Sequence, residues 1–277
     1  MILKNIFSVS KPIIGMIHLD PLPGSPLYNP NTRMTSVLEK AFRDTECLEK
    51  AGVDGLQIEN IWDFPYAKGQ SIGIETIAAL SAAAQAIKER SDLPIGINCH
   101  LNGAEISLAV AIATEAKWIR VFEYVNAYIS RAGLLEGVGG RVSRMRNYLG
   151  ANNQVRMMCD IQVKHGSHFI VSDKSIEVLA NDAVSEGAEM LIITGFETGK
   201  PPTVKEVKTI KSCISVPVLL GSGLTSENVQ ELLTYADGAI VGSAFKEDNN
   251  WKNPVSYEKA SFFMAEVDQL REAEASK

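Results

Sequence analysis

The chain has 277 residues, enough for one large domain or two small ones, and 45% of them are hydrophobic, enough for a sizeable core. A formal charge of −6 and a pI near 5.4 argue against a nucleic-acid partner, which would call for a basic face. No stretch approaches the roughly 20 apolar residues that span a bilayer, and residues 1–10 lack the apolar core and cleavage site of a signal peptide, so the expectation is a cytoplasmic protein with no transmembrane segment.

Eight short apolar runs follow one another along the chain, at residues 12–17, 53–58, 94–99, 117–122, 154–160, 188–193, 216–220 and 237–241. Helical patterns lie between them. One covers about 76–90, with Ile77, Leu80, Ala84 and Ile87 at helical spacing; another covers about 225–235, with Val229, Leu232 and Leu233 inward; the last covers about 257–273, with Phe263, Val267 and Leu270 on one side. Repeated βα units imply a parallel sheet, and eight of them suggest closure into a single (β/α)8 barrel spanning residues 1–277. An open doubly wound sheet would fit five or six units, or a Gly-rich turn after the first strand, better. No linker or low-complexity tract divides the chain. Cys47, Cys99, Cys159 and Cys213 are widely spaced in apolar runs without any CxxC pair, so buried reduced thiols are expected. Two connections are long: residues 20–33, stiffened by four prolines, and residues 126–140. Either could be a lid or a plain surface loop.

The fifth run is the most informative. Three apolar residues lead into an alternation in which Asp160, Gln162 and Lys164 share one face and Ile161 and Val163 the other, before His165 closes the run. A strand that turns polar inside only at its C-terminal end suits the rim of a barrel, where active sites of this fold lie. Other strand ends converge on the same rim: His18 and Asp20 on the first, Glu59 followed by Asn60 on the second, Asn98 and His100 on the third, Arg120 on the fourth, Thr194 on the sixth. The seventh and eighth runs lead directly into Gly221-Ser222-Gly223 and Gly242-Ser243. Glycines there let backbone N–H groups approach an anion, and the loops after the last two strands hold phosphate in many barrels.

Roles follow from these residue types. Asp160 or Glu59 suits a general base, with His18 and His165 as acid–base partners. Lys164 suits either a Schiff base or neutralisation of an anion. Asn98 suits a sugar hydroxyl. Each also has an ordinary structural use: His18 as a satisfied core histidine, Glu59 as a salt-bridge partner of Arg120, Asn98 as a tie between loops. No cofactor is required. A divalent metal on Glu59, Asp160 and His18 is an alternative that the spacing does not demand.

The segments Lys11-Pro12-Ile13-Ile14-Gly15-Met16-Ile17-His18-Leu19-Asp20-Pro21-Leu22-Pro23-Gly24 and Asp160-Ile161-Gln162-Val163-Lys164-His165, together with the two glycine loops, make the chain resemble the BtpA/SgcQ family over about residues 11–263. The resemblance implies a TIM-type barrel of the ribulose-phosphate-binding kind. It carries a family name taken from photosystem I biogenesis, while other members are described as predicted nucleosidases. The chain departs from the family pattern at Leu101-Asn102-Gly103, at Phe122 and at Arg131, all bordering the expected pocket. The leading expectation is an enzyme acting on a phosphorylated sugar or nucleoside-type small molecule, with glycosidic-bond hydrolysis as the reaction. Alternatives are a Lys-dependent aldolase or isomerase, and a non-enzymatic assembly factor with a regulatory phosphate site. A homo-oligomer is compatible with a barrel of this size.

Overall fold

The computed structural model describes residues 2–195 and 200–276. Eight parallel strands close a barrel: β1 (Ile13–His18), β2 (Gly55–Glu59), β3 (Ile95–Asn98), β4 (Trp118–Val121), β7 (Arg156–Ile161), β8 (Met190–Ile193), β9 (Val218–Leu220) and β10 (Gly238–Val241), with β10 paired back to β1. Strands β5 (Ala127–Ser130) and β6 (Gly133–Glu136) form a separate antiparallel hairpin inserted after β4. The surrounding helices are α1 (Met34–Lys50), α2 (Ile74–Lys88), α3 (Ala104–Ala113), α4 (Gly139–Tyr148), α5 (Ile176–Ser185), α6 (Val204–Cys213), α7 (Val229–Leu233) and α8 (Tyr257–Ala275). All eight apolar runs are barrel strands. Among the described residues no helix is long and apolar enough to cross a membrane.

Strand parity sorts the side chains. Outward residues such as Ile13, Ile17, Ile58, Ile97 and Ile119 join the helices in one large core. Inward residues Ile14, Met16, Trp118, Met158, Met190, Ile192, Leu219 and Ile240 fill the lower barrel. Leu3, from the short N-terminal 3-10 segment Leu3–Asn5, and Phe7, two residues beyond it, join this inner cluster, with Phe7 packed on Trp118. The barrel accommodates the indole because Gly96 stands beside it; a Cβ there would lie 2.0 Å from Trp118 Nε1. That nitrogen donates to Gln57 Oε1 at 2.6 Å, which satisfies the buried indole N–H. The layers above are polar, because the same parity delivers His18, Glu59, Asn98, Arg120 and Asp160 at the C-terminal strand ends.

Three sequence expectations change. The alternation of residues 160–164 holds only to Ile161: Gln162 takes φ 49°, the strand ends, and its side chain turns to solvent. The helix expected over 225–235 shrinks to α7, because Asn228 ties a turn instead, accepting from Thr225 N at 2.8 Å and donating to Gly223 O at 3.0 Å. Residues 126–140 are no plain loop but the β5–β6 hairpin, closed by a two-residue turn at Arg131-Ala132. Of the four cysteines, all free, Cys99 and Cys159 are buried while Cys47 and Cys213 are half-buried.

Candidate active site

A cavity of about 330 Å³ opens at the C-terminal end of the barrel. Its floor is the polar layer. Arg120 and Asp160 form a bidentate ion pair there, Nε to Oδ2 at 2.8 Å and Nη2 to Oδ1 at 2.7 Å, with side-chain exposures of 5% and 0%. Both carboxylate oxygens of Asp160 therefore face Arg120. Asp160 orients that guanidinium, which borders the cavity, and is not itself among the lining residues. The expected Glu59–Arg120 bridge is replaced by this pair, because β4 and β7 are hydrogen-bonded neighbours and β2 is two strands away from β4.

Glu59 lines the cavity and is also fully engaged. Oε1 meets His100 Nε2 at 2.9 Å and Oε2 accepts from Asn98 Nδ2 at 2.6 Å. Burial pushes its carboxyl upward, but the charges of His100, His18 and Arg120, with the His100 hydrogen bond, outweigh burial and hold it below the ordinary carboxylate range. Glu59 is thus a fixed negative charge. His18 sets its Nδ1 against the Trp251 carbonyl at 3.0 Å, and its ring edge packs on Trp251. Burial, then the positive charge of Lys246, lowers its pKa to about 4, so the imidazole is neutral near pH 7.

The remaining expected site residues divide. Lys164, His165, Gly221, Ser222, Gly223, Gly242 and Ser243 all line the cavity. Asn98, Asn60 and Thr194 lie behind it. Asn60 accepts from His100 N at 2.7 Å and donates to Asp63 at 2.9 Å, so it holds the β3 loop. Thr194 packs its methyl beneath Gly221, and its Oγ1 has no hydrogen-bond partner among the described residues. Asp20 points away, paired with Lys40 on α1; it lies beyond the end of β1, where strand parity no longer applies. A metal site on Glu59, Asp160 and His18 does not assemble, because Arg120 takes both oxygens of Asp160 and the Trp251 carbonyl takes His18 Nδ1. No other trio of His, Cys, Asp or Glu among the described residues forms one.

Sequence reasoning placed His100 on the right face without giving it a role, and missed the aromatic wall around it. Tyr66 packs on His100 at 4.7 Å between ring centroids, Phe122 meets its edge at 4.7 Å, and Trp62, Phe64 and Trp251 continue the cluster. A run of Trp62, Phe64 and Tyr66 just after the second strand was the legible signal. Trp251 was not legible, since its place depends on the buried Asp44–Lys246 ion pair (2.5 Å), which anchors the loop before α8; Asp44 also accepts from Val255 N at 2.8 Å.

Across from the aromatic wall lie the two glycine loops. Gly223 has φ +77°, and a Cβ there would fall 2.1 Å from Pro201 N, so only glycine fits. Ser222 Oγ is buried with no hydrogen-bond partner among the described residues. The second glycine loop continues into a single 3-10 turn, Ser243–Phe245. Over the cavity stand Tyr128, Ser130 and Arg131 of the hairpin, tied to the loop after β7 by a bridge between Ile129 and Ser167. Among the described residues, neither Lys164 Nζ nor the Arg131 guanidinium makes a hydrogen bond or ion pair.

Comparison with known proteins bears on the fold and the family. The crystal structure of (S)-3-O-geranylgeranylglyceryl phosphate synthase from Thermoplasma acidophilum, in complex with sn-glycerol-1-phosphate, superposes with a TM-score of 0.61 at 18% identity, covering 97% of each chain. N-(5′-phosphoribosyl)anthranilate isomerase from Pyrococcus furiosus gives 0.55 at 15% identity, covering 94% of this chain and 99% of that one. At these identities the likeness establishes the TIM-barrel fold. By sequence, an uncharacterized protein of Thermococcus kodakarensis is 36% identical over 264 residues, 95% of this chain and 97% of its own. The photosystem I biogenesis protein BtpA of Synechocystis is 29% identical over 279 residues, covering 100% of this chain and 95% of that protein. The BtpA family profile matches residues 9–269. With that profile matched over most of its length, the chain belongs to the BtpA family.

Proposed function

We propose that the cavity is the active site of an enzyme acting on a phosphorylated sugar or nucleoside-type small molecule, and that the reaction is hydrolysis of a glycosidic bond. The observation that carries this reading is the buried Ser222 Oγ, without a hydrogen-bond partner among the described residues, in one of the glycine loops after the last two barrel strands. A buried hydroxyl without a partner costs stability unless a ligand or water completes it. Lys164 and Arg131, which make no hydrogen bond or ion pair among the described residues, add positive charge at the cavity. The synthase from Thermoplasma acidophilum, on the same fold, was crystallised with a glycerol phosphate. Opposite the phosphate end, Tyr66, Phe122 and Trp251 offer flat apolar faces to a planar group. The volume lies at the lower end of the roughly 300–1,000 Å³ usual for small-molecule sites.

Thermal shift against inorganic phosphate, ribose 5-phosphate and the four common nucleoside 5′-monophosphates tests binding, and base release from the monophosphates tests the reaction. A ligand at about 100 times its Kd stabilises by about 2.7 kcal/mol. Gly242→Val is expected to remove that shift with the fold retained: the atoms nearest a Cβ at 242 are Met16 at 3.4 Å and His18 at 3.7 Å, ordinary contact distances, and position 242 lines the cavity. Arg131→Ala, at an exposed turn, is expected to weaken anion binding about tenfold while changing stability by no more than about 0.5 kcal/mol. A flat screen with folded protein, or an undiminished shift in Gly242→Val, sinks the phosphate assignment.

One observation favours a second reading. Burial, then the neighbouring Arg120, lowers the Lys164 pKa, which raises the fraction of neutral amine able to form a Schiff base. Borohydride treatment in the presence of a ketose or aldose phosphate would leave a covalent adduct on Lys164 if this route operates; unmodified protein rejects it.

A further inference from the structure

We propose that His100 is the acid–base catalyst of this cavity, acting through Nδ1, and that Glu59 and Asn98 are its positioning residues. The proposal rests on the cavity being an active site, and it departs from the expectation that Asp160 or Glu59 is the base.

The chain of contacts has one open end. Asn98 Nδ2 donates to Glu59 Oε2 at 2.6 Å, and Glu59 Oε1 meets His100 Nε2 at 2.9 Å. The His100 backbone is held by Asn60 at 2.7 Å, and the ring is gripped between Tyr66 and Phe122. Orientation is fixed from every side. Yet Nδ1 is buried with no hydrogen-bond partner among the described residues, on a ring that borders the cavity. The corresponding nitrogen of His18 is satisfied, its Nδ1 meeting the Trp251 carbonyl at 3.0 Å. In His100 one nitrogen is bound tightly and the other left bare. An ionised carboxylate can only accept, so the neutral ring carries its proton on Nε2 and presents the Nδ1 lone pair. This is the relation of base to orienting carboxylate that general-base catalysis uses. Asp63 and Tyr66 also face the ring, while His18 and Arg120 act on Glu59 behind it.

In hydrolysis, Nδ1 takes a proton from water: that O–H bond breaks, an N–H bond forms, and the freed oxygen pair makes the new bond to the sugar carbon. The glycosidic bond breaks with its electron pair going to the leaving base, which receives the proton from Nδ1. Water and glycoside yield free sugar and protonated base, and His100 ends as it began. Glu59 stabilises the imidazolium between the two transfers.

Two measurements on the full chain test this. In protein labelled with 15N-histidine, the neutral His100 ring is expected to show a protonated Nε2 and a bare Nδ1, and Glu59→Gln is expected to weaken that tautomer preference. With the nucleoside 5′-monophosphates as probes, His100→Gln should lower kcat by about 100-fold or more. KM and the thermal shift with inorganic phosphate should be unchanged in that variant. Glu59→Gln should lower kcat less and shift the acidic limb of the pH profile downward, which a merely structural role would not do. A neutral His100 protonated on Nδ1 overturns the proposal whatever the substrate, as does a wild-type kcat in His100→Gln. If no monophosphate is turned over but Nδ1 is bare and Glu59-dependent, the nucleotide reading fails and the His100 assignment stands.

Discussion

Asp160→Asn is expected to cost about 3–5 kcal/mol of folding stability, because it strands the buried Arg120 charge. Arg120 has 5% side-chain exposure and two of its N–H groups are spent on Asp160. Taking both charges from water is unfavourable in itself, so the pair stabilises the fold only as a pair. The double variant Asp160→Leu, Arg120→Met should therefore recover most of the loss, and a double-mutant cycle should show strong coupling. Urea unfolding of the four proteins measures this. A loss in Asp160→Asn of under about 1 kcal/mol, the range of an exposed salt bridge, would mean that the charges are solvated and that this description of the cavity floor is wrong. The expectation also alters how an inactive Asp160→Asn protein is read: lost turnover would reflect a displaced Arg120, not a missing base.

Acidification from pH 6.5 to 4 is expected to remove about 3 kcal/mol of stability through His18 alone. In the unfolded chain His18 takes up a proton near pH 6.5, whereas in the folded chain burial and the Lys246 charge delay protonation to about pH 4. Between those values the unfolded state binds more protons, so stability rises with pH. The contribution is complete above 6.5 and is lost as pH falls toward 4, at about 1.4 kcal/mol per pH unit. Glu59, held ionised, acts in the same direction at lower pH. His18→Asn can keep a donor toward the Trp251 carbonyl but has nothing to titrate, so the difference in unfolding free energy between variant and wild type should grow steadily over this window. Parallel pH dependences in the two proteins would show that His18 titrates normally.

Sequence by itself determined the barrel. Eight apolar runs separated by helical patterns close most simply as a barrel, and strand parity follows from alternation, which puts Glu59, Asn98, Arg120 and Asp160 on the inner face. The glycine loops were legible because glycine's missing side chain is itself the signal, as the φ of +77° at Gly223 shows. Only the tertiary structure decided who pairs with whom. Asp160 and Glu59 look equivalent in sequence, yet the β4–β7 contact gives Asp160 to Arg120 and the β2–β3 contact gives Glu59 to His100. Parity failed beyond the strand ends, at Asp20 and Gln162, because a leaving chain is free to turn. Trp251 reaches the cavity across more than two hundred residues from His18, through an ion pair that no local pattern encodes. Local periodicity reports which face a side chain takes; hydrogen-bond partners in the barrel mouth are set by strand order and loop anchoring, which are properties of the closed barrel alone.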